Sequence, residues 1–113
     1  MKVLHIIKDL EPGGIQTLLL DIANNRHGFN GEIALLVIGE GRLEKAFVNS
    51  GIRLFKLQRN KLIDFKAIGQ FRKILKDFKP EIIHTHHALE VLYVFLGSWG
   101  LKIKKIHSHH THP

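Results

Sequence analysis

A chain of 113 residues with no cysteine, a formal charge of +7 and a pI near 9.9 holds material for one small domain and offers no disulfide framework or thiolate site. The basic excess favours an anionic partner, but nucleic acid is set aside, because no helix-turn-helix, RRM or zinc-finger spacing occurs and few aromatics interleave with the lysines. The apolar start before Lys8 is too short for a signal-peptide core, and the longest apolar stretch, Ala88 to Leu101, contains Glu90, Gly97 and Gly100 and falls short of the roughly 20 residues of a membrane span, so a cytoplasmic chain is expected.

Residues 2–8 form an apolar run closed by Asp9-Leu10-Glu11-Pro12-Gly13-Gly14, which predicts a buried strand running into a loop. The period then changes. Ile15, Leu18, Leu19, Ile22 and Ala23 fall at helical spacing and predict a helix with one apolar stripe, ending near His27-Gly28. Ile33 to Ile38 is a second buried strand, closed by Gly39-Glu40-Gly41. Leu43 to Asn49 makes a short helix, and Ser50-Gly51 ends it ahead of a third strand, Ile52 to Leu57. Asp64 is placed as the N-cap of a helix with Phe65, Ile68, Phe71, Ile74, Leu75 and Phe78 on its inner side, stopped by Pro80. A fourth strand, Glu81 to Thr85, an apolar helix from Ala88 to Trp99 with Gly100 as its terminal glycine, and a fifth strand, Ile103 to His107, complete the series.

Apolar strands alternating with helices predict a parallel sheet covered on both faces, a Rossmann-like three-layer α/β/α domain. In the commonest doubly wound order, 3-2-1-4-5, the chain reverses direction between strands one and four and opens a crevice at their carboxyl ends. The loops 9–14, 84–88 and 107–112 reach that crevice. Gly13-Gly14 stands just before a helix, where free backbone N–H groups and the positive helix end suit a phosphate. The same pair serves equally well as a tight turn after Pro12, since no G-x-G-x-x-G or Walker pattern surrounds it.

His84-Thr85-His86-His87 and His107-Ser108-His109-His110, with His112, hold most of the chain's nine histidines. At i, i+2 spacing two rings of each cluster share one side of an extended chain, and imidazole donates, accepts or titrates near neutral pH. Three readings stay open here. One is a hydrogen-bonded or solvent-facing set at the strand ends. Another is a zinc site of the hydrolase kind, with ligands from both clusters; against it, neither cluster contains the carboxylate of an H-x-H-x-D-H pattern, and no metal ligand is assigned. The third is a non-catalytic binding remnant. His5, inside the first strand, and His27, at a helix end, are read as structural. Lys66, Arg72, Lys73, Lys76 and Lys79 accompany the apolar stripe of the third helix, as in helices that lie on anionic membranes, although a solvated outer face is the simpler expectation.

The segments Lys2-Val3-Leu4-His5-Ile6-Ile7, Gly13-Gly14-Ile15-Gln16-Thr17, Leu18-Leu19-Leu20-Asp21-Ile22-Ala23, Gly39-Glu40-Gly41, Gly51-Ile52, Lys79-Pro80-Glu81-Ile82-Ile83-His84-Thr85-His86 and Ile106-His107-Ser108-His109 together resemble the N-terminal domain of family 4-like glycosyltransferases, over almost the whole chain. The resemblance implies one half of a GT-B architecture. Two Rossmann-like domains then face each other across a cleft, the N-terminal one binding the acceptor and the C-terminal one a nucleotide-sugar, and transfer retains the anomeric configuration.

By this resemblance Gly13 and Gly14 face the donor diphosphate, and the catalytic histidine is His109, or His110 if the motif slides by one residue. His84, His86 and His87 line the acceptor side. The nucleotide-sugar is a co-substrate, and no cofactor is implied. A glycan or lipid-linked acceptor makes peripheral contact with the inner face of a membrane an expectation. The family's second domain, with paired glutamates and the basic residues that hold the diphosphate, has no counterpart here, and the first domain normally continues past Pro113. Residues 1–113 are therefore expected to be a C-terminally truncated domain, inactive by itself.

Overall fold

The computed structural model describes residues 1–25, 31–57, 64–86 and 88–107. In chain order they form β1 (Lys2–Ile7), α1 (Gly14–Asn24), β2 (Glu32–Val37), α2 (Glu44–Asn49), β3 (Arg53–Lys56), α3 (Phe65–Phe78), β4 (Ile82–Thr85), α4 (Ala88–Gly97) and β5 (Lys104–His107). The strands pair in parallel as one sheet in the order β3-β2-β1-β4-β5, the doubly wound order expected of the alternating pattern. The carboxyl ends of β1 and β4 therefore border the switch point.

Period-two alternation divides the strands' side chains between two cores. Leu4, Ile6, Ala34, Leu36 and Ile83 pack with Ala67, Phe71, Leu75 and Phe78 of α3 and Tyr93 and Val94 of α4. On the opposite face Ile7, Ile33, Leu35 and Val37 pack with Leu19 and Ala23 of α1 and Phe47 of α2. His5 alternates onto this second face, where its register partners are Leu35 on one side and His84 on the other.

The helix starts follow local chemistry. Asp64 caps α3 by accepting from the backbone N–H groups of Lys66 at 3.0 Å and Ala67 at 3.3 Å, as its side chain predicts. Two stripe residues do not turn inward: Leu18 is 54% exposed and Phe65 80% exposed. In α1 the buried line runs through Gln16, Leu19 and Ala23, the last two packing with Ile7, Ile33, Leu35 and Val37 of the sheet, and Leu18 is turned outward. Phe65 sits at the first position of α3, ahead of the sheet it would need to reach.

Helices α3 and α4 are tied to each other closely. A Cβ added at Gly97 would lie 2.4 Å from the Phe71 ring, so the absent side chain is what lets the helices meet. The Tyr93 hydroxyl accepts from the backbone N–H of Asp64 at 3.3 Å. Arg72, grouped by sequence with the basic outer face, instead donates from Nη1 to the carbonyl oxygens of Gly97 at 3.2 Å and Trp99 at 2.6 Å, capping the end of α4. Lys66, Lys73, Lys76 and Lys79 are exposed, as a solvated face requires. Among the described residues no helix is long and apolar enough to cross a membrane.

Candidate functional site

The loop between β1 and α1 is built around Leu10, which is fully buried while its neighbours stay at the surface. Its carbonyl accepts from the N–H of Leu43 at 2.8 Å, and its own N–H donates to Glu40 at 3.3 Å. The Gly39-Glu40-Gly41 loop lies against it so closely that a Cβ on Gly41 would be 2.2 Å from the Leu10 carbonyl carbon and one on Gly39 would be 2.8 Å from the Lys8 carbonyl oxygen. These two glycines are thus required by backbone contact. Their sequence position marks only a turn.

Gly13 is the N-cap of α1, in extended conformation, and Gly14 its first residue; no side chain caps this end and no acidic residue occupies the first turn. Thr17 N–H donates to the Gly13 carbonyl at 2.9 Å. A Cβ on Gly14 would meet nothing within 4 Å, so packing does not require glycine there. Behind the loop, buried Gln16 donates from Nε2 to Asp9 Oδ1 at 3.1 Å, and Asp9 Oδ1 also accepts from the Glu11 N–H at 3.0 Å. The result is a loop braced by the Asp9 carboxylate, ahead of a helix whose first turn has no acidic residue and no side-chain cap.

Three imidazoles gather where β1 and β4 pair, towards the end of β4. His5 and His84 are paired across the two strands, and His86 follows two residues on, on the same side. The His84 and His86 rings stack with centroids 4.3 Å apart, and His5 lies 5.1 Å from His84 and 5.4 Å from His86. His5 Nδ1 and His86 Nε2 are 3.2 Å apart, so one ring donates to the other. Burial, and secondly the neighbouring His84, push the His5 imidazole down to about 4, which keeps it neutral near pH 7. His86 is buried; His5 and His84 are half-buried.

The acceptor-side expectation for His84 and His86 thus falls on two side chains that share a place, and His5, read from sequence as internal to its strand, joins them. A histidine in an otherwise apolar run with a partner cluster of the same type was the available sign. On the other face of β4, buried Thr85 has its Oγ1 2.7 Å from Nδ1 of His107, at the end of β5. His87, His109, His110 and His112 lie outside the described residues, as does His27. A cavity of about 590 Å³ lies elsewhere, at the amino ends of β4 and β5 among Leu75, Lys79, Pro80 and Ile103.

Residues 12–113 match the family described as Glycosyltransferase Family 4, and the chain belongs to that family, with the sheet order of the Rossmann-like domain from which GT-B enzymes are built. No curated protein matches it in sequence. Among solved structures it is similar to the lipopolysaccharide outer core galactosyltransferase WaaB in its apo form, at 18% identity and TM-score 0.69 over 95% of this chain and 32% of that one. It is also similar to Anabaena Alr3699/HepE in complex with UDP and glucose, at 12% identity and TM-score 0.66 over 95% of this chain and 29% of that one. A third is S. aureus MnaA with UDP, at 19% identity and TM-score 0.63 over 94% of this chain and 28% of that one. The chain spans about a third of the length of these structures.

Proposed function

We propose that this chain is the N-terminal, acceptor-side domain of a retaining GT-B glycosyltransferase that moves a sugar from a nucleotide-sugar to a glycan or lipid-linked acceptor. The observation that carries the reading is the bare N-terminus of α1 at the β1–β4 switch point, with Gly14 open to close approach and His84 and His86 on the neighbouring strand. An uncapped helix end and the open space around Gly14 support a diphosphate there. The UDP complexes of the HepE and MnaA structures support a nucleotide-sugar as the donor class.

In this reading Gly13 and Gly14 face the donor diphosphate, His84, His86 and His87 line the acceptor side, and His109 contacts the donor sugar or orients the acceptor hydroxyl, with His110 as its substitute. The second Rossmann-like domain holds the donor, so the chain by itself is inactive. In a chain completed by that domain, His109→Ala lowers turnover by roughly 100-fold or more while far-UV circular dichroism stays unchanged. Unaltered turnover would shift the role to His110. The exposed lysines of α3 together with exposed Phe95 and Trp99 support contact with an anionic membrane. Sedimentation with anionic vesicles at low salt tests it, and an unbound chain removes the idea.

A further inference from the structure

We propose that His5, His84 and His86 form a binding site for Zn2+ or a similar late transition-metal ion, two of them being histidines that the transferase reading places on the acceptor side. Their ligand atoms all lie within 4.8 Å of one another. In a tetrahedral zinc site with Zn–N distances of about 2.0–2.1 Å, any two ligand nitrogens stand about 3.3 Å apart. The His5 Nδ1–His86 Nε2 separation of 3.2 Å already has that length. The His84 ring closes the remaining gap by rotation about its side-chain bonds, and the His5 and His86 rings turn so that their nitrogens face a shared ion and the proton now between them leaves.

The scaffold under these rings is stiff where a metal site needs it. β1 lies between β2 and β4, so the backbone of His5 is held by ladders on both sides, and His84 is its direct register partner. Residues at i and i+2 of the chain leaving β4 put two rings on one side, and the strand pairing adds the third from a position 79 residues earlier in sequence. The donor set selects the ion. Three imidazole nitrogens without a carboxylate suit Zn2+, Ni2+ or Cu2+ and give Mg2+ and Ca2+, which take oxygen ligands, nothing to bind. The fourth position is left for water or an anionic oxygen.

The competing explanation is a stack of hydrogen-bonded histidines, with any zinc affinity belonging to the histidine-rich C-terminal residues. Titration of the untagged 113-residue chain with Zn2+ against a chromophoric chelator separates the two. The expected result is one Zn2+ per chain, undisturbed by excess Mg2+, and a Co2+ adduct with the strong visible bands of tetrahedral coordination. His84→Ala and His86→Asn each weaken binding by roughly 100-fold or more, beyond what loss of an outer-shell partner costs. A variant with His109, His110 and His112 all changed to serine binds as the parent does.

Absence of stoichiometric zinc overturns the proposal, and so does binding that survives His84→Ala but disappears in the triple serine variant. If His86→Asn fails to fold, His84→Ala still decides the matter through thermal unfolding, since Zn2+ raises the Tm of the parent and leaves that of a variant without the site unmoved.

Discussion

The two halves of the sheet are covered differently. Around β1, β2 and β3, helices α1 and α2 close one face and α3 the other, and the strand residues Leu4, Ile6, Ile7, Ala34, Leu35, Leu36 and Val37 are all buried. Around β4 and β5 one face is covered by α4, while the other carries half-buried His84 and, beside it in register, Ile106 at 39% exposure; every residue of β5 is exposed. Val91, Leu92 and Phe95 of α4 and Trp99, just beyond its end, are exposed in the same way. The boundary between the two regimes runs along β1 and β4. Polar histidines sit at that boundary because apolar side chains there would have only half a core to enter, whereas imidazole can pair with its own kind.

The contrast can be broken most sharply by large-to-small substitution. Phe71→Ala empties the covered half and lowers unfolding free energy by about 3–5 kcal/mol in urea titration, whereas Trp99→Ala at the exposed turn after α4 changes it by less than about 0.5 kcal/mol. Equal losses at both sites would mean that the exposed surface is packed in solution.

The boundary itself titrates. The His5 imidazole is held at about 4 in the folded chain against 6.5 when unfolded, so its neutral form stabilises the fold fully above pH 6.5. That contribution is lost as pH falls from 6.5 towards 4, on the order of 3 kcal/mol in all, because the unfolded chain takes up the proton first. Urea midpoints measured across this range should drop for the parent, and the drop should shrink in His5→Leu. A parent profile that stays flat would sink the assignment.

The smallest effects sharpen the reading of the glycine loop. Gly41→Ala forces a Cβ onto the Leu10 backbone and costs about 1–3 kcal/mol, while Gly14→Ala, with open space at the first position of α1, leaves stability unchanged or slightly raised. In a completed enzyme the order reverses if Gly14 serves a diphosphate: Gly14→Ala then lowers turnover although the fold is intact. Comparable stability losses at the two glycines would place both in packing.

Much of this architecture is legible in residue order. Strand and helix alternation, the cap at Asp64 and the stop at Pro80 follow from local periodicity and turn chemistry, which act within a few residues. Helix rotation is not local. Leu18 and Phe65 fit their stripes by spacing and are turned out because contact with the sheet decides which side of a helix faces inward. Arg72 likewise looks like one cation of a basic face until α4 arrives to be capped.

What the sequence by itself determined is the set of elements and the chemical character of each loop, since hydrophobic period and turn residues are properties of neighbours along the chain. Only the tertiary structure decided which of those neighbourhoods meet. Strand pairing put His5 opposite His84 and left His86 Nε2 3.2 Å from His5 Nδ1, and the Leu10 backbone turned Gly41 from a turn residue into a steric requirement. Contacts between residues far apart in sequence depend on strand register and side-chain packing across elements, which no local pattern encodes.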